Sequence, residues 1–420
     1  MTTAETSTAD TTETAAGAAR TDPGAAPRRE RSAVPVQTRS GRPTSFDPDA
    51  FGMPTGREVN WKLSDVQRLA PLFVDEATET GEAQAIAYDV AAIEAAGYLV
   101  PSKGHDAPVR GEIFVPEDVT AALAWKHGED ALHIRIPEGE TVDEPLVVRL
   151  VGQGADRHGQ AHVVIEAQPG SVATVVLEHT GSAAYAQNVE IIVRDGARLT
   201  VVAVHEWEDD AVHAAAHQAV VGARAYLKHV VVSFGGGVVR VNPSMRLAGE
   251  GSSGDMLGLA FADAGQHLES QVYMHHEGVA TKGDVLYKGA LQGKGARTVW
   301  IGDVLIGHGA TGTDSYEKNQ NLVLTDGTRA DSIPNLEIET GDIAGAGHAS
   351  ATGRFDDEQL FYLQARGIPE EQARRLVVVG FLMEIVQRIG IPALEERLAA
   401  DIEAEIARGA GLAPASRAGA

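Results

Sequence analysis

The chain has 420 residues, 59 acidic against 35 basic, giving a formal charge of −24 and a pI near 5.0. So negative a surface repels phosphate backbones and anionic lipid, which argues against nucleic acid and membrane as partners. The chain has no cysteine, so disulfides, thiol catalysis and a self-contained iron–sulfur or Cys-zinc site are excluded, and the composition suits the cytoplasm.

Residues 1–45 are Ala, Thr, Pro and charged side chains. So little apolar surface cannot offset the ordering entropy, and a disordered tail is expected. The segment has no apolar h-region of a secretory signal, and no apolar run in the chain approaches the roughly 20 residues of a membrane helix. Residues 46–128 read as a small α+β lead-in. It closes on a helix at "PEDVTAALAWKHG" (116–128), with Pro116 and Glu117 in the first turn and Gly128 at the end.

From 129 to 354 short apolar or alternating runs follow one another, among them "AHVVIEAQPG", "VATVVLEHTG" and "YLKHVVVSFGGGVVRVNPS". They are strand signals at roughly ten-residue intervals, with no room for helices between them. Two turns share a pattern, "VRDGARL" (193–199) and "LTDGTRA" (324–330). Such periods point to a parallel β-helix, with a two-sheet jelly roll as the other architecture periodicity allows. Few two-residue hairpin signals occur, which favours the β-helix. Residues 355–410 read as three helices, "DDEQLFYLQARG", "PEEQARRLVVVGFLMEIVQRIG" and "PALEERLAADIEAEIARGAG", each with acids at its start and Arg-Gly or a nearby Gly at its end. This helical region is too small for a core of its own, so it must pack on the β domain or on another protein. Residues 411–420 read as a second disordered tail.

Several catalytic devices are missing. "YKGALQGKGART" (287–298) lacks the glycine spacing and the Ser or Thr of a phosphate loop, so no intrinsic nucleotide site is expected. His205, His213 and His217 in "HEWEDDAVHAAAHQ" offer a metal reading, with His213 and His217 on one helical face. The other reading, which the missing H-E-x-x-H favours, is a polar, partly exposed excursion between strands. His275 and His276 would point to opposite faces of a strand, so at most one could ligate a metal. Glu337 and Glu339 in "PNLEIETGD" would share a strand face, as a cation site or as a solvated edge. His348 sits among small residues in "GDIAGAGHASATGR". These would admit close approach of another macromolecule to an imidazole able to ligate iron or zinc; equally, they could form a tight connection in which His348 bonds a carbonyl.

The run "RADSIPNLEIETGDIAGAGHASATGRFDDEQLFYLQARGIPEEQARRLVVVGF" (329–381) resembles the C-terminal signature of the SufB/SufD family of iron–sulfur cluster assembly scaffolds. Its marks are the P-x-L-E-I strand, a downstream His, the acidic start before "LFY", and "RGI" before a final helix. "GTDSYEKNQNLVLTDG" (312–327) resembles the family's last coils. The resemblance implies a right-handed parallel β-helix with an α-helical C-terminal region. It also implies a heterodimer of SufB and SufD paralogues whose C-terminal helices dock SufC, an ABC-type ATPase. His348 would then lie at the SufB–SufD interface as an iron or cluster ligand; Glu337 and Glu339 stay weaker candidates, on their strand spacing alone.

No cysteine stands in "YEKNQNLVL", where SufB would carry one, and Ala346 stands where some SufD chains have theirs. The chain is therefore expected on the SufD side, as a non-catalytic subunit lending at most imidazole or carboxylate ligands to a transient cluster shared with SufB. Whether a flavin joins the complex is left open by the sequence. The alternative is a β-helix polyuronate lyase or hydrolase. Against it stand the absent signal peptide, the 5% aromatic content and the lack of a clustered Asp pair.

Overall fold

Ten-residue runs such as Arg198–Trp207 set the architecture. Leu199, Val201, Ala203, His205 and Trp207 fall on one side of that run and Val202 and Val204 on the other, yet all are buried. Strands apolar on both faces belong to parallel sheets covered from both sides. The computed structural model describes residues 39–77, 84–104, 109–128, 130–354 and 357–409.

A lead-in of β1 (Ile86–Asp89), α1 (Ala91–Ala95), β2 (Leu99–Val100) and α2 (Val119–His127) precedes β3 (Ala131–Ile136). Two long strands follow, β4 (Leu146–Ala167) and β5 (Val172–Val193). Then come β6 (Arg198–Trp207), β7 (Val212–Val221), β8 (Tyr226–Ser233), β9 (Val238–Leu247), β10 (Ser253–Ala262) and β11 (His267–His276). The last strands are β12 (Lys282–Leu291), β13 (Arg297–Ile306), β14 (Thr313–Val323), β15 (Arg329–Ile338) and β16 (Ile343–Arg354). Helices α3 (Asp357–Ala365), α4 (Glu370–Ile389) and α5 (Pro392–Gly409) complete the described chain.

From β5 onward each strand pairs in parallel with the strand two further on, in the order β15-β13-β11-β9-β7-β5-β6-β8-β10-β12-β14-β16. Odd strands form one wall and even strands the other. β5 serves both, since Val172–Gly181 pairs with β6 and Ala184–Val193 with β7. Gly181 makes that corner possible: its φ is +73°, and a Cβ there would press on the Gly152 carbonyl of the preceding coil. Equivalent residues of adjacent coils, such as Tyr185 and His213, lie 28 apart. The fold is the parallel β-helix; a jelly roll would pair its strands antiparallel.

Side chains such as Leu150, Ile165, Leu177, Leu199 and Leu227 fill the lumen. The outer faces are also covered. Val378, Leu382 and Ile385 of α4 and Leu398 and Ile402 of α5 pack on Val202, Val230 and Leu257 of the even wall. Each such burial contributes about 1.5–3 kcal/mol. The C-terminal helices thus find their core on the β domain. Lys228 Nζ donates to the Arg388 carbonyl at the end of α4, 2.8 Å away, and Gln292 to that of Glu405, 2.7 Å away. The lead-in covers the odd wall, where Trp61, Leu72, Val119 and Leu123 meet Ala184, Ala214 and Val238.

Two expected boundaries differ in the structure. The helix expected over 116–128 begins at Val119, because Asp118 is its N-cap and accepts from Ala121 N at 3.0 Å. A side-chain acceptor at that position outcompetes Pro116 as the start signal. The tail expected over 1–45 lies outside the described residues only as far as 38. Arg39 is buried, pairs with Glu117 at 2.8 Å and donates to the Gln271 carbonyl at 2.5 Å. Residues 410–420, within which the second tail was expected, also lie outside the described residues.

Candidate functional site

Covering stops at the last coil. Among the described residues β15 and β16 are the two ends of the strand order, each paired on one side only, and their residues are half-buried or exposed. An edge strand offers unpaired N–H and C=O groups to another chain. His348 lies on β16 rather than in a tight connection. It is exposed and stands in register with Glu317 of β14. The small neighbours have a local reason: a Cβ on Gly347 would come within 3.2 Å of the Tyr316 ring, and one on Gly345 within 3.3 Å of Asp314. Glu337 sits near the end of β15 and lines a shallow recess with Arg39, Tyr273 and Asp303. Glu339 lies just past the strand end, where its carbonyl accepts from His308 Nδ1 at 2.8 Å.

Glu317 carries no sequence signal, yet it is the most unusual carboxyl of this end. Only 1% exposed, it has no hydrogen-bond partner for either oxygen among the described residues. A methyl on Gly302 of the facing wall would collide with this carboxylate and with Trp300. Burial, then the nearby Asp303, pushes its pKa up to about 8. Between the ordinary value of 4.5 and about 8 the folded state therefore holds a proton that the unfolded chain has released. Stability then falls as pH rises through that window, by about 1.4 kcal/mol per unit, and the loss is complete above it. Glu317→Gln should flatten this slope, its melting temperature gaining on the wild type between about pH 5 and pH 8. Parallel melting curves would contradict the assignment.

The histidines of "HEWEDDAVHAAAHQ" stand differently from either expectation. His205 is on β6, and His213 and His217 are on β7, all facing the lumen and buried. They are neither helical nor at the surface, because a four-residue spacing returns to the same face of a strand as well as of a helix. His179 of β5 joins them, in register with His205. His179, His205 and His213 each offer a ligand atom within 4.8 Å of the others, the one such group of three or more metal-ligand side chains found among the described residues. Glu337, Glu339 and His348 are not part of it. Burial holds all three imidazoles below their usual pKa, His179 at about 4, with neighbouring imidazoles adding to the effect at His205 and His213. They are therefore neutral. Neither ring nitrogen of His205 has a partner among the described residues, and an unpaired buried donor costs about 1–3 kcal/mol.

His275 and His276 do take opposite faces. His275 contacts Glu277 at 3.0 Å, while the buried His276 bonds Thr281 and Ser315. In the phosphate-loop look-alike, Gly293 N donates to Thr325 Oγ1 and Gly295 N to the Gly327 carbonyl of the next coil. Those are amides a phosphate would need.

A family model described as "SUF system FeS cluster assembly, SufBD core domain" matches residues 150–381. Iron–sulfur cluster assembly SufBD family proteins of Mycobacterium bovis and Mycobacterium tuberculosis are 48% identical over 368 residues, covering 86% of this chain and 91% of theirs. One of Mycobacterium leprae is 46% identical over 368 residues, covering 93% of that protein. A second SufBD family protein of Mycobacterium tuberculosis is 30% identical over 201 residues, 48% of this chain and 24% of the relative. Among the described residues no helix is long and apolar enough to cross a membrane.

Proposed function

The chain belongs to the SufBD family of iron–sulfur cluster assembly proteins, and from that premise we propose that it is the SufD-like, non-catalytic half of a scaffold. Its other half is a cysteine-bearing SufB paralogue, and both work with the SufC ATPase in the cytoplasm. The observation that carries this reading is the uncovered last coil, where an exposed imidazole stands on an edge strand of a chain without cysteine. His348 would face a partner thiolate across the seam. A borderline imidazole and a soft thiolate would hold iron firmly enough to assemble a cluster and loosely enough to release it. The cluster is cargo here, since one imidazole cannot replace its four ligands. The two SufBD relatives of Mycobacterium tuberculosis support a paired scaffold. The polyuronate-active alternative gains no support from these relatives.

Tagged chain purified from its native cytosol should bring down a cysteine-bearing paralogue and a small ATPase. Recovery of the chain alone, at native expression, overturns the reading.

The ATPase would dock on the C-terminal helices. Phe361 and Tyr362 of α3 are 72% and 55% exposed and Leu376 of α4 is 49% exposed, apolar side chains that the β domain leaves uncovered. Phe361→Asp with Leu376→Asp should deplete the ATPase from the purified complex by about tenfold or more and leave the paralogue, since a buried aromatic anchor is worth about 2 kcal/mol or more. Unchanged ATPase recovery would remove the helices from the docking surface.

A further inference from the structure

The lumen histidines lie many coils from the open end, and the scaffold role just proposed makes no use of them. Their arrangement joins both walls. His179 and His205 are registered neighbours on β5 and β6, and His213 enters from β7 opposite, directly after the turn that follows β6. Ring centroids stand 4.6 Å apart for His179–His205, 5.0 Å for His205–His213 and 5.3 Å for His179–His213.

The surroundings select the tautomer of one ring and constrain a second. His213 Nδ1 lies 3.1 Å from the Tyr185 carbonyl and His179 Nδ1 lies 3.0 Å from the Val204 carbonyl. A carbonyl accepts only from N–H, so His213 carries hydrogen on Nδ1 and a lone pair on Nε2, the orientation that second-sphere carbonyls give to metal-bound histidines. His213 Nε2 has no partner among the described residues, while His179 Nε2 lies 3.0 Å from Gln187 Oε1, a second acceptor, so a metal at that nitrogen would require the Gln187 amide to turn over or away. His205 is wholly buried with both nitrogens unpartnered. Neutral imidazoles packed this densely serve well as donors and poorly as an apolar core.

We propose that His179, His205 and His213 form a closed metal site inside the β-helix, taking a borderline divalent transition-metal cation such as Zn²⁺ or Fe²⁺. Imidazole is the ligand type such cations accept, and three of them leave a fourth position for water or hydroxide. Tetrahedral bonds of about 2.0–2.1 Å require donor nitrogens about 3.4 Å apart, so the three would draw inward from their present separation. Because they come from two walls, the bound ion clips the early coils together across the lumen. Burial makes loading a step of folding rather than of later equilibration.

Full-length chain, without a polyhistidine tag, is grown in zinc-supplemented and, separately, in iron-supplemented anaerobic cultures. It is then dialysed against EDTA and assayed for metal. The expected result is about one chelator-resistant ion per chain from at least one culture, with X-ray absorption showing three imidazole nitrogens at about 2.0–2.1 Å. His205→Phe, which keeps the ring volume, should lower retention at least tenfold while circular dichroism shows it folded. His348→Ala should retain the full amount, which separates this site from the exposed end. A metal-free wild-type chain from both cultures (water then filling the gap), fewer than three imidazoles in the absorption spectrum, or full retention in folded His205→Phe would each overturn the proposal. Should His205→Phe fail to fold, the imidazole count of the wild-type chain decides alone.

Discussion

Replacing His348 with alanine is expected to leave the scaffold assembled and to abolish its maturation of clusters. The residue is exposed on β16, and its ring makes no hydrogen bond with a described residue. Its loss should therefore change stability by no more than about 0.5 kcal/mol. Paralogue and ATPase should co-purify in wild-type amounts, while iron–sulfur absorption of the co-expressed complex falls by about tenfold or more, the minimum for losing a metal ligand in a shared site. His348→Cys tests the chemistry further. A thiolate at the same place can also ligate iron, so it should restore part of the absorption if the lost function is ligation. Wild-type maturation in the alanine variant would refute the ligand role and leave the chain a structural platform.

The largest loss of stability is expected from Arg240→Met. Arg240 is buried and pairs with Asp118 at 2.7 Å and Glu269 at 3.2 Å, donates to the Asn60 carbonyl, and lies 3.9 Å from the Trp61 ring. Asp118 in turn caps α2, so one guanidinium ties the lead-in to the odd wall. Burial pushes Asp118 up, but Arg240 and the hydrogen bonds of Ala121 and Thr120 hold it below its ordinary value. Burial acts the same way on Glu269, and His267 and Arg240 outweigh it, holding Glu269 at about 2. Methionine would fill much of the space, leaving buried Asp118 without a counter-ion and Glu269 with His267 alone, 3.1 Å away, at a cost of about 3–5 kcal/mol. A melting temperature lower by roughly 5 °C or more should result. The pH dependence follows from the same pairs. Both carboxyls are depressed in the folded state, so their contribution is present above their unfolded values and lost as pH falls through the folded ones, toward about 2 for Glu269. The variant should lose stability at neutral pH and converge on the wild type in acid. An unchanged melting temperature at neutral pH would show that the pairs contribute nothing net.

Much of the architecture was legible along the chain. Short apolar or alternating runs at roughly ten-residue intervals, with Asp-Gly turns such as those of "VRDGARL" and "LTDGTRA", describe stacked strands; that these are buried on both faces and run two to a coil came from the structure. Acids at the starts and glycines at the ends of the last three segments locate α3, α4 and α5, because helix ends carry their own chemistry. The family likeness at 329–381 rests on a continuous segment for the same reason.

The lumen site was legible only in part: the sequence singled out His205 and His213 but grouped them with His217 rather than with His179. The sequence alone determined the strand period, the terminal helices and the missing thiols and marked His348 as a candidate, all properties of one residue or one local run; that His348 is exposed on an edge strand came from the structure. Only the tertiary structure decided that His179, His205 and His213 meet and that Glu317 is shut away beneath the last coil. It likewise joined Arg240 to Asp118 across a distant stretch of chain. Each of these depends on which face of a strand turns inward and on which coil lies against which. His179 is a coil of chain away from His205, and Arg240 lies 122 residues from Asp118, separations that no local spacing records.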